Sequence, residues 1–256
     1  MTISMSGIYS FGMILTRISG LVAVAPVFSS NMIAMKVKIS LVLAISLMLT
    51  LALNSRLHVD PPAGTLIPAL ATQFLIGLLL AGGFRLAMAS VTIAGELTGL
   101  QMGMGAATFY DAGAAANSSL VPAFMGLFYS VIFLTLNGHH QMLRILSESF
   151  ELVPPLKSTG FPPISIFMSQ VAEMTSFGCR LAAPVVIPII LISLGTGLIS
   201  RIFPQANVIS LSYGFAMLTG MILLATTMSV FDGVVVDSIQ HASRSVARML
   251  HELAGS

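Results

Sequence analysis

Six long apolar stretches, at residues 7–29, 37–53, 66–92, 119–136, 164–199 and 208–231, constrain this chain more than any other feature. A helix rises about 1.5 Å per residue, so roughly 20 apolar residues cross a hydrocarbon core of about 30 Å. Most of the stretches meet that length, whereas 37–53 is marginal and 164–199 is too long for one pass. In lipid every backbone N–H and C=O must be satisfied inside the protein, which favours helices for runs of this kind. The expected fold is all-α, with about six apolar helical regions.

Composition agrees, because 56% hydrophobic and 8% charged residues lie far outside soluble usage. With 11 basic and 9 acidic side chains the chain cannot cover its own surface, so its apolar patches must meet lipid or other protein. A net charge of +2 offers no basic stripe for phosphate backbones, which argues against nucleic acid as a partner. The lone Cys179, within an apolar run, reads as a small core residue. The start of the chain has no basic residue before Arg17 and no clear cleavage signal, so its first apolar run is expected to persist.

Pro184 and Pro188 lie in the longest stretch, and each removes a backbone donor and clashes with the preceding turn. A kink or break there, giving two helices or a bent hairpin, is expected. The connectors 54–64 and 153–163 are rich in Pro and Gly. Residues 1–256 read as a single domain, with the second connector as the place for any subdivision into 1–155 and 156–256. From Asp237 to Leu253 the residues Ile239, Val246, Leu250 and Leu253 alternate with Arg244, Arg248 and Glu252, the pattern of an amphipathic helix at an interface.

Four ionic residues, Arg17, Arg85, Glu173 and Arg180, fall inside apolar runs. A charge at mid-bilayer costs roughly 2.5–3.5 kcal/mol on the lenient scale, so the arginines should face protein or water. Glu173 and Arg180 share a helix face if their helix is continuous, and Glu96 and Asp111 are candidate partners for the others. Inter-helix ion pairs, an ion or proton relay and assembly contacts all remain open for these side chains.

Gly95, Gly99 and Gly103 repeat every four residues and would form a ridge without side chains, along which another backbone packs closely. Glycine this dense also weakens a helix, so a bent or unwound segment is the alternative. The following residues 106–119 are small and nearly uncharged, with Phe109 and Tyr110 adjacent. Irregular backbone at membrane depth survives only when buried in protein or lining a water-filled cavity, so this stretch is either a gate or a plain connector.

Adjacent helical residues point about 100° apart, so His139 and His140 do not make a metal site without a further ligand at i+4. Neither Gly-x-Ser-x-Gly nor His-Glu-x-x-His occurs, and the Gly-x-Gly at 103–105 lacks a nucleotide-binding context. No catalytic residue, cofactor or metal is expected.

Several stretches together resemble the FliR family, the flagellar export-gate component whose counterparts serve virulence type III secretion. They are Gly95-Glu96-Leu97-Thr98-Gly99-Leu100-Gln101-Met102-Gly103, Ala107-Thr108-Phe109-Tyr110-Asp111, Asn137-Gly138-His139-His140 and Ser149-Phe150 ahead of Pro154. Arg17 with Pro26, and Arg201-Ile202-Phe203-Pro204-Gln205-Ala206-Asn207-Val208, look like further parts of the family pattern. One departure is Asp111-Ala112, where the family often has Asp-Pro.

The resemblance implies kinked helical hairpins in a helical export gate of the bacterial inner membrane and flagellar basal body. FliP and FliQ would share the complex, FlhB would stand at its cytoplasmic entrance, and unfolded substrates would pass through the middle. Transport would be driven by an associated ATPase and the proton gradient. Gly103, Gly105, Thr108, Phe109, Tyr110, Asp111, Gly113 and Asn117 match the family's plug loop, which helps close the channel. Arg17, Arg85, Glu96, Glu173, Arg180 and Arg201 are the positions expected to be buried or to serve assembly. The histidine and Ser149-Phe150 motifs look closer to flagellar than to virulence members. A rival from another class is a self-contained ion or solute transporter using Arg85, Glu96 and Arg180, which would be stable and active alone.

Overall fold

In a computed structural model the described residues are 5–28, 33–53, 65–104, 120–155, 164–202, 208–229 and 231–255. Among them the structure is all-helical: α1 (Met5–Val24), α2 (Met35–Leu53), α3 (Leu66–Gln101), α4 (Leu120–Thr135), α5 (Gly138–Leu152), α6 (Ile164–Ile202), α7 (Val208–Met228) and α8 (Phe231–Gly255). Four of these helices are long and apolar enough to cross a membrane, or up to six spans if the bent pairs α4–α5 and α7–α8 each count as one. The break between α4 and α5 falls at Asn137, whose φ of 56° is left-handed. Asparagine tolerates that region because its short polar side chain bonds locally, and here its Oδ1 lies 3.2 Å from His140 Nδ1.

The longest apolar stretch is one helix and not two. Pro184 and Pro188 do not divide it, and α6 runs unbroken for 39 residues. The two prolines are four residues apart and so lie on the same helix face. The carbonyls deprived of a donor, those of Arg180 and Pro184, are thereby confined to one side, and the ladder continues on the other.

Cys179 is exposed on α6 rather than in the core, since residence in an apolar run does not say which way a side chain points. The expected interfacial tail also differs. Ile239, Val246, Leu250 and Leu253 of α8 are buried within the protein, so its apolar stripe faces other helices of the chain and not a lipid surface.

The chain forms two compact units, each discontinuous in sequence: Met1–Leu86, Leu134–Gln170 and Ile239–Ser256 make the first, and Ala87–Phe133 with Val171–Ser238 the second. Residues 155 and 156 both belong to the first unit.

In the first unit α1 packs on α2 and crosses α3 at a pair of glycines. Gly20 faces the backbone of Phe74 and Leu78, while Gly77 faces the backbone of Arg17 and Leu21. Neither position has room for a Cβ, so the two backbones touch directly, as small residues permit where lipid supplies no hydrophobic drive between helices. The later part of α8 lays Val246 and Ala242 over Gly83 of α3. Helix α5 buries Met142, Ile145, Leu146, Ser149 and Phe150 at helical spacing and exposes Arg144 and Glu148.

In the second unit the C-terminal part of α3 packs with α4 and α6. A methyl group at Gly95 would lie 2.7 Å from Pro122 Cα, and one at Gly178 would lie 2.6 Å from the Ser90 carbonyl oxygen. Phe128 of α4 meets Phe231 at a ring separation of 5.5 Å. By contrast α2 and α6 keep only 6% and 17% of their apolar windows buried, against 56% for α3. Helix α3 is therefore far more buried than α2 and α6, whose apolar residues are largely exposed in the isolated chain.

Candidate functional site

Among the described residues Arg17 is the largest fully buried side chain, at 0% exposure. Its Nε donates to Gln73 Oε1 at 2.8 Å, Nη1 to the Ser149 carbonyl at 2.9 Å and Ser149 Oγ at 3.0 Å, and Nη2 to the Val153 carbonyl at 2.9 Å. The guanidinium also lies 4.2 Å from the centre of the Phe150 ring. Gln73 in turn donates from Nε2 to the Pro155 carbonyl at 3.0 Å. The last carbonyls of a helix lack intrahelical donors and carry its negative dipole end. Arg17 of α1 therefore caps the C-terminus of α5, while Gln73 of α3 orients it. Of the readings open for Arg17, an ion pair is not the one found, since its partners among the described residues are neutral. Backbone carbonyls and an amide satisfy a forked donor without a second buried charge.

The second locality is the end of α3. Met102 N–H bonds the Thr98 carbonyl, Gly103 N–H the Leu100 carbonyl at 3.0 Å and Met104 N–H the Gly99 carbonyl at 3.1 Å, with Gly103 at φ 78°. The last two bonds are the paired closure of a Schellman cap, which needs a left-handed residue and so selects glycine. Gly103 therefore ends α3 and does not continue the ridge of Gly95 and Gly99, both of which are buried within the helix. Helix α7 holds this cap in place. The Tyr213 ring lies beside Gly103, and the Met102 side chain fills the notch left by Gly220, where a methyl group would come within 2.5 Å of Met102 Cγ.

Of the six charged positions Arg17 is buried, whereas Arg85, Glu96, Glu173, Arg180 and Arg201 are exposed in the isolated chain. Glu173 and Arg180 share the continuous α6, but a separation of about 10.5 Å along the axis keeps them from an ion pair. Gly105, Thr108, Phe109, Tyr110, Asp111, Gly113 and Asn117 lie outside the described residues.

The chain matches the family described as bacterial export proteins, family 1, over residues 8–242. It belongs to the FliR family of bacterial export proteins. It is similar to the flagellar biosynthetic protein FliR of Pectobacterium carotovorum subsp. carotovorum, at 32% identity over 219 residues covering 81% of this chain and 80% of the relative. Identity to that of Escherichia coli (strain K12) is 28% over 225 residues, covering 84% and 82%. For Caulobacter vibrioides it is 25% over 224 residues, covering 87% and 89%.

Two of the FliR-like motifs have physical roles in this chain. Arg17, Ser149 and Phe150, far apart in sequence, are one contact cluster. Gly103 closes the helix that leads into the candidate plug segment. Sequence reasoning missed the partners, Gln73, Tyr213, Gly220 and the Gly20–Gly77 crossing. Their only signals were a polar residue or an isolated glycine inside an apolar run.

Gly103→Ala is expected to destabilise this FliR-family chain by about 1–2 kcal/mol, from the left-handed φ and the crowding of Tyr213. Thermal unfolding in detergent reads this as a drop of a few degrees, roughly 2–4 °C per kcal/mol at this size. Adding Tyr213→Ala should remove the steric share and leave the conformational one.

Proposed function

We propose that this chain is a non-enzymatic core subunit of the flagellar export gate in the bacterial inner membrane. It forms part of the conducting channel with FliP and FliQ, with FlhB at the cytoplasmic entrance, and unfolded substrates pass through. Residues 103–117 act as its plug loop. The observation that carries this reading is the cap at the end of α3: Gly103 is seated against Tyr213, with Met102 in the Gly220 notch, so the segment starts from an anchored point. A closing element needs such an anchor, because a loop held at its base restricts a lumen more effectively than one free to swing. The outward apolar faces of α2 and α6 support membership of a larger assembly, since patches of this extent mark contact surfaces. The flagellar system is favoured over its virulence counterpart because the relatives described above are named for flagellar biosynthesis.

Co-expression with FliP and FliQ from the same genome tests the proposal. The wild-type chain is expected to co-purify in one complex, and deletion of residues 106–116 is expected to leave that complex intact while making the resting membrane leak ions. A stable particle containing only this chain would overturn the gate-subunit reading. Unchanged conductance in an assembled deletion variant would overturn the plug.

A further inference from the structure

The second unit holds a pocket of about 510 Å³ that the channel reading does not use. Phe177, Leu181 and Pro184 of α6, Thr226 and Thr227 of α7 and Val234 of α8 line it together with Arg180. Arg180 is exposed and makes no ion pair or side-chain hydrogen bond among the described residues. Glu173, on the same helix face, lies too far along the axis to reach it. An arginine without a carboxylate and bordered by apolar residues has the form of an interface anchor, because arginine is enriched at the centres of protein contacts.

The polar groups of these residues state what a ligand must supply. The guanidinium donates only, and its fork matches a carboxylate. Thr226 and Thr227 each give their hydroxyl proton to the Leu223 carbonyl, at 2.8 and 2.7 Å, which leaves lone pairs free to accept. The Arg180 carbonyl is a further acceptor, because Pro184 four residues on has no N–H to give it. The complement is one anion flanked by hydrogen-bond donors.

The apolar lining decides what carries that anion. Phe177 precedes Arg180 by about one turn of α6, and Leu181 and Pro184 follow it, so apolar wall stands on both sides of the guanidinium. A lipid headgroup has hydrocarbon on one side only, and a free anion has none. A polypeptide segment brings a carboxylate with apolar neighbours before and after it, and backbone N–H groups as the flanking donors. Helix α6 keeps only 17% of its apolar window buried, so this face is open to a neighbour in the isolated chain. We propose that the pocket receives an Asp or Glu side chain of a neighbouring protein subunit, its carboxylate on the Arg180 fork and its apolar neighbours against Phe177, Leu181 and Val234. The proposal rests on the gate-subunit reading and gives that assembly one contact of defined chemistry.

Co-expression of the full chain with FliP, FliQ and FlhB from the same genome tests it. Arg180→Glu is expected to lower recovery of the complex roughly tenfold or more, as loss of a desolvated interface charge pair does. The thermal midpoint of the variant chain alone in detergent should stay at the wild-type value, because the side chain is exposed. Val234→Phe, which fills the pocket and leaves the charge, should lower recovery as well. A photo-crosslinking residue in place of Thr226 should join the chain to a neighbouring subunit within a peptide that contains Asp or Glu, and changing that acid to Arg should restore recovery with Arg180→Glu. A crosslink to this chain itself or to lipid, a partner peptide without an acid, or failure of the reversed pair to restore the complex overturns the site. Absence of any wild-type complex overturns the gate-subunit reading and the site with it, whereas a wild-type complex that survives Arg180→Glu unchanged overturns the site alone.

Discussion

Arg17→Leu is expected to remove about 3 kcal/mol or more of stability and to lower sharply the yield of folded protein extracted from membranes. The guanidinium uses four of its five N–H groups, and its loss leaves the Val153 carbonyl and Gln73 Oε1 buried without donors. The Ser149 carbonyl fares better, since the Val153 N–H bonds it too. Each orphaned acceptor costs roughly 1–3 kcal/mol, before the lost contact with Phe150 is counted. Against a typical total of about 5–15 kcal/mol this is a large share. Arg17→Lys should recover little, because a point charge cannot reach three directions at once. The double variant Arg17→Met, Gln73→Leu should recover little, as it removes the orphaned Gln73 Oε1 but takes the Nε2 donor from the buried Pro155 carbonyl. Thermal midpoints in detergent for the four proteins check this, and wild-type stability in Arg17→Leu would refute the cap.

Gly77→Ala is the second large effect, and its sign is the test. Alanine for glycine within a helix ordinarily stabilises by about 1 kcal/mol. At Gly77 the added methyl meets the Arg17 carbonyl and the Leu21 amide, which are backbone atoms that move only if α1 and α3 separate. Such separation also pulls Arg17 from Gln73, so the expected loss exceeds about 3 kcal/mol, beyond the usual 1–3 kcal/mol of overpacking. Gly12→Ala is the control, since nothing lies within 4 Å of a methyl there. It should be neutral or stabilising. Similar midpoints for the two variants would mean that the crossing is looser than described.

The all-helical architecture was legible in the sequence because apolar runs of bilayer length leave the backbone few ways to satisfy its own polar groups. The spacing of Gly95 and Gly99, both buried in α3, was equally plain, being a local pattern. Local pattern also misled. Two prolines in α6 read as a kink or break into two helices, yet their shared face let one helix continue, and Gly103 read as a third ridge position although its left-handed φ ends α3.

Arg17 shows the boundary most clearly. Its position in an apolar run determined that it must be satisfied, since an unsolvated guanidinium is too costly to leave alone. That the satisfying groups are a glutamine 56 residues away and carbonyls 132 and 136 residues away was decided only by the crossing of α1, α3 and α5. The same holds for the exposed Arg85, Glu96, Glu173, Arg180 and Arg201, whose direction depends on which helix face is covered. Sequence states what each side chain requires of its surroundings, and only tertiary packing brings distant residues together to meet that requirement.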